Sequence, residues 1–134
     1  MEDRFLFRAK RKDNGEWIFG NLIQTDDGVY IIQNYVPQHL IKNYEVDQST
    51  VCQCTGLKDK NGKLIWENDI IECKDEKHNF QTQIEWDAYC AGFIFQDTET
   101  SVVGLDAITA NGLYSESKVV SNIFGNQELL EVRL

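Results

Sequence analysis

Val51-Cys52-Gln53-Cys54-Thr55-Gly56-Leu57-Lys58-Asp59-Lys60-Asn61-Gly62-Lys63-Leu64-Ile65-Trp66-Glu67-Asn68-Asp69-Ile70-Ile71 sets three turn signals between strand-like runs. Val51 to Thr55 has the composition of a short strand, and Gly56 is expected to end it. Asp59-Lys60-Asn61-Gly62-Lys63 contains Asn-Gly, a pair that tolerates the left-handed backbone of a tight hairpin turn. Glu67-Asn68-Asp69 is a polar corner leading into Ile70-Ile71-Glu72-Cys73-Lys74. Asp69 stands where a carboxylate holds a turn by accepting backbone N–H groups.

Upstream, Phe5, Phe7 and Ala9 alternate along Arg4–Ala9 and predict a strand with one apolar face. Lys12-Asp13-Asn14-Gly15 predicts a turn, Glu16–Ile23 a second strand, Thr25–Gly28 another turn and Val29–Ile32 a third strand. Residues 1–33 therefore read as a β-meander. Pro37 excludes a central strand or helix interior from the segment around it. Downstream, Phe80, Thr82, Ile84 and Trp86 alternate onto one side, a hairpin turns near residue 89, and Phe93-Ile94-Phe95 returns. Lys118 to Gly125 is the last clear strand. Helix is confined to one turn near residues 105–110 and one after Asn126. The spacing predicts an all-β chain: an N-terminal β-meander over 1–62 packed with a small barrel over 63–134, the two forming one fold or two subdomains.

The chain has 134 residues and a formal net charge of −9, with net +1 in residues 1–20 and acidity growing toward the other end. An acidic surface repels phosphate backbones, so nucleic-acid binding is disfavoured. The exception is a basic strip of Arg4, Arg8, Lys10, Arg11 and Lys12, which also suits a solvated edge strand. There is no apolar run long enough to cross a membrane as a helix, and Met1–Arg8 does not look like a secretory signal. The expectation is a cytoplasmic protein of a bacterial host, with Cys52, Cys54, Cys73 and Cys90 reduced.

Chemistry is sparse. Cys52 and Cys54 would share a strand face, but the usual zinc-ligand spacing is missing, so small buried thiols are expected and no metal or cofactor. His39 and His78 have no nucleophile elbow or oxyanion motif beside them. Glu67 with Asp69, and Glu85 with Asp87, could exchange protons if burial raised one carboxyl, yet both pairs suit turn caps. No phosphate-binding glycine motif occurs. Among the aromatics, alternation assigns Trp17 and Trp86 to the core. Trp66 and Tyr89 lie beside turns and are the candidate protein-binding residues.

Thr50 through Ile71 resembles the signature of the YopX family, encoded in bacteriophage and prophage genomes. Phe7-Arg8-Ala9 with Trp17-Ile18-Phe19-Gly20, and Val119–Leu130, are similar to the family's opening and closing blocks. Cys52 and Cys54 stand where the family usually has Gly and an aromatic, Asn68 where Gly is frequent, Lys10 for Trp and Gln127 for Pro. The resemblance implies an SH3-like C-terminal barrel and an accessory phage role, and supplies no reaction or ligand. The expected function is non-enzymatic protein–protein binding, with an unknown protein partner or homo-oligomerisation. The alternatives are nucleic-acid association through the basic strip, and an acidic nucleic-acid mimic that blocks a host enzyme. An enzyme would need Glu67, Asp69 and His78 in one pocket.

Overall fold

Every element longer than a single 3-10 turn is a β-strand in the computed structural model, which describes residues 3–33, 43–77, 79–96, 102–104 and 114–125. The chain divides into two units, Met1–Cys54 and Thr55–Leu134. The expected readings at Pro37, His39, His78, residues 105–110 and the turn after Asn126 lie outside the described residues.

In the first unit, β1 (Phe7–Lys10), β2 (Trp17–Thr25), β3 (Gly28–Ile32) and β4 (Asn43–Glu45) follow one another as an antiparallel meander. β5 (Cys52–Lys58) pairs with the other edge of β1, Arg8 opposite Cys52. Ala9, Ile18, Val29, Ile31 and Val46 form the core, lined by Phe7, Leu22, Tyr44 and Val51. Ala9 faces Ile18 across β1 and β2 because side chains repeat every second residue. Each buried Ile contributes about 1.5–3 kcal/mol relative to exposure. Close strand approach explains Gly20, where a Cβ would meet the carbonyl oxygen of Ile32 at 2.1 Å.

Two expectations change here. Phe5 lies in a 3-10 turn over Asp3–Phe5 before β1 begins, so it leaves the apolar face of Phe7 and Ala9 and is exposed. Trp17 is outside the core, because alternation puts Ile18 inward and Trp17 on the opposite face.

In the second unit, β5 runs on through Gly56 rather than stopping there. Gly56 takes φ of 80°, and the Thr55 hydroxyl bridges the kink by donating to the carbonyl of Ile65 and accepting from the N–H of Leu57. Ile65 belongs to β6 (Leu64–Trp66), the neighbour of β5. β7 (Asp69–Lys74) is central to an antiparallel sheet with β8 (Asn79–Gln83) and β12 (Glu116–Asn122). A second sheet has the order β11 (Val102–Gly104), β10 (Gly92–Gln96), β9 (Glu85–Asp87). Ile65, Ile71, Cys73, Phe80, Ile84, Phe95 and Tyr114 form its core. The Phe80 ring meets that of Tyr114 edge-on at 5.5 Å and that of Phe95 at 6.5 Å.

The run 79–87 serves both sheets, pairing with β7 up to Gln83 and with β10 from Glu85. This break overturns the expected core position of Trp86. Phe80, Thr82 and Ile84 are buried as the alternation requires, but the strand changes partners after Ile84 and Trp86 emerges 49% exposed. The expected barrel is likewise not closed: the pairings among the described residues leave the second unit as open antiparallel sheets. The Asp59–Lys63 turn, expected to separate the halves, sits inside the second unit because Asp59 bonds to β12.

Candidate functional site

Two carboxylates of the signature stretch, Asp59 and Asp69, are committed to the backbone. Asp59 is buried; its Oδ1 accepts from the N–H groups of Asn61 and Lys63, both at 2.9 Å, and its Oδ2 accepts from that of Val119 at 2.9 Å. Asp69 is buried and its Oδ2 accepts from the N–H of Trp66 at 2.7 Å. Such carboxylates fix turns by accepting backbone N–H groups. Asn68, with φ of 69°, turns the chain between them. The Trp66 side chain is packed inside, 7% exposed, which corrects its assignment as a surface contact residue.

The basic strip folds onto its own aromatics and carboxylates. The Arg8 guanidinium lies 4.8 Å from the Trp17 ring centre and the Lys10 ammonium 5.6 Å from it. Arg4 covers Phe5 at 4.7 Å and Arg11 covers Tyr44 at 4.4 Å. Arg11 also forms a two-pronged pair with Asp13, which raises its pKa and lowers that of Asp13, and Lys12 pairs with Glu45 at 3.2 Å. Arg8 is buried. Of the five cations, two are thus matched by carboxylates and one is withdrawn from the surface. Phe19 lies opposite Arg8 and is 47% exposed.

The second unit presents a different surface on the β9–β10 hairpin. The Asp87 carboxylate accepts from the N–H of Tyr89 at 2.9 Å, and Ala91 turns the chain at φ of 55°. This tight turn leaves Tyr89 fully exposed. Trp86 is paired with Phe93 across the strands, their rings edge-on at 5.2 Å and 73°. Phe93 in turn packs against the core. The hairpin therefore carries a half-exposed indole braced from behind and an open phenol at its tip. Tyr89 is where the sequence placed a candidate contact; Trp86 was missed. The signal for it was its place one residue before the Asp87–Gly92 turn, where a strand has reached the end of its sheet.

Cys52, Cys54 and Cys73 are buried and Cys90 is exposed. Burial, with Glu72 adding a smaller effect, pushes the Cys73 thiol up to about 12. Glu72 is held below the usual carboxylate range by Lys74 first, then by Gln81 and Lys118. Glu72, Lys74 and Lys118 border a polar cavity of about 400 Å³ with Lys60 and Glu116. Among the described residues, no group of three or more His, Cys, Asp or Glu could hold a metal ion, and no helix is long and apolar enough to cross a membrane.

A profile described as YopX protein matches residues 6–131. Among solved structures, the chain is similar to protein EF1440 from Enterococcus faecalis, a crystal structure, at 24% identity and a TM-score of 0.53, with 92% of this chain and 96% of that chain covered. At that identity the likeness shows the fold alone. No curated protein matches.

Proposed function

The chain belongs to the YopX family, and from that premise we propose that it is a non-enzymatic accessory protein of phage or prophage that acts by binding another protein. The observation that carries this reading is the β9–β10 hairpin, with Trp86 half-exposed and Tyr89 fully exposed. Tyr and Trp are the side chains most often dominant in protein interfaces, because they bring large contact area at small entropy cost. The run 79–87, which passes from one sheet to the next, is the corner that an SH3-like barrel requires, and we read the second unit as such a barrel left open. That analogy adds little about function by itself. The protein acts in the cytoplasm of the bacterial host, alone or as a homo-oligomer. The nucleic-acid alternative has less support, because Arg11 and Lys12 are paired with carboxylates.

The test is affinity capture of the tagged protein from prophage-carrying cells, with nuclease, beside the Trp86→Ala/Tyr89→Ala double variant. The expected result is one stoichiometric protein retained after nuclease and lost in the variant. A set of captured proteins that disappears with nuclease, and is unchanged in the variant, would overturn the reading.

A further inference from the structure

The N-terminal aromatics Phe5, Trp17 and Tyr44 each have a cation of their own chain over the ring. The hairpin aromatics do not: among the described residues, no Lys or Arg lies over Trp86 or Tyr89. The sequence explains this, since between Lys77 and Lys118 there is neither lysine nor arginine, and there are six carboxylates. Two of them, Glu85 and Asp87, flank Trp86 on β9. That strand pairs with β10 on one side, and no described strand pairs with its other side.

We infer that the free edge of β9 docks an extended, Lys- or Arg-rich segment of a partner protein. This rests on the protein-binding reading above and specifies the partner's chemistry. An extended segment added to a sheet edge presents successive side chains to opposite faces. Strand alternation places Trp86 on one face and Glu85 and Asp87 on the other. One basic side chain of the segment thus meets an aromatic face, where a cation is attracted by the ring quadrupole, and the next meets carboxylates. An acidic or phosphate-bearing partner would be repelled by the same charges. Of the surfaces the described residues provide, this one joins exposed aromatics, unopposed negative charge and an open strand edge.

The probe is a fluorescent peptide of alternating Arg and Thr, compared with the same peptide carrying citrulline for Arg, read by anisotropy at low and moderate salt. The expected result is saturable binding of the Arg peptide alone, weakened roughly tenfold by Glu85→Lys and by Trp86→Ala. Glu116→Lys, the same change in net charge away from the hairpin, is expected to leave affinity within about twofold. Equal losses in Glu85→Lys and Glu116→Lys would show diffuse charge attraction and overturn the inference. Equal binding of the citrulline peptide, with loss in Trp86→Ala, would remove the cationic requirement while leaving the protein-binding reading intact. No effect of Trp86→Ala on the peptide or on partner capture would sink both. Self-association of the protein, abolished by Glu85→Lys, would make a second copy the occupant and contradict the inference.

Discussion

The backbone N–H of Asn68 donates to the carbonyl of Ile84 at 2.7 Å, and the N–H of Ile84 returns to the carbonyl of Asp69 at 2.9 Å. Ile84 is the residue at which the run 79–87 leaves one sheet for the other. The polar corner at the end of the signature stretch therefore grips the strand just before the exposed hairpin. The signature thus helps to set where Trp86 and Tyr89 stand.

Asp69→Ala should destabilise the protein by about 2–3 kcal/mol, because the buried N–H of Trp66 loses a charged acceptor. At Asn68 the φ of 69° makes glycine the natural alternative, but the Asn68 side chain also accepts from Gln83 at 3.0 Å. Asn68→Gly exchanges strain relief for that bond and should fall within about 0.5 kcal/mol of the parent. Asn68→Ala loses both and should cost about 1–2 kcal/mol. Urea midpoints at a common slope test the order.

Two glycines should respond unequally to alanine. Gly62 takes φ of 83° with open space around it, so its cost is conformational and about 1 kcal/mol. At Gly20 a Cβ would press on the carbonyl of Ile32, and strands β2 and β3 must separate; the cost should be about 3 kcal/mol or more. Paired thermal melts would show whether the second substitution is the more damaging.

Under native conditions Cys90 should react rapidly with a maleimide, while Cys52, Cys54 and Cys73 react only on unfolding. The Cys73 thiol has a second consequence. Its pKa is raised from 9.0 in the unfolded chain to about 12 when folded, so the folded state keeps its proton longer. Its contribution to stability is complete below pH 9 and is lost as pH rises from 9 toward 12, with a slope of up to about 1.4 kcal/mol per pH unit. Cys73→Ala should be less stable at neutral pH through its cavity, yet show a shallower alkaline slope. Identical slopes in denaturation series would contradict the assignment.

The sequence made the meander legible because Asn14-Gly15 and Asp26–Gly28 punctuate clean alternation. Asp69 as a turn holder was legible for the same reason: short polar side chains act locally. What escaped depended on distant partners. Gly56 was expected to end a strand, but Thr55 carries β5 across it by bonding to Ile65. Trp86 continued the alternation of Phe80, Thr82 and Ile84, and apart from its place before a turn its segment does not show that the corner at Asn68 redirects the strand. Trp66 lies beside a turn and still packs inward, because Asp69 draws its backbone into the corner. The basic strip was visible as charge and its Arg11–Asp13 pair is local, whereas the pairing of Lys12 with Glu45 appears only when β4 returns beside the β1–β2 turn.

The most direct test places a photo-activatable benzophenone side chain at position 89, and separately at position 19, in cells carrying the prophage. Both positions are exposed, one on the hairpin and one on the face of the basic strip. The account predicts a single protein adduct of defined mass from position 89, resistant to nuclease, and none from position 19. Adducts from position 19 alone, or adducts that nuclease shortens, would contradict it.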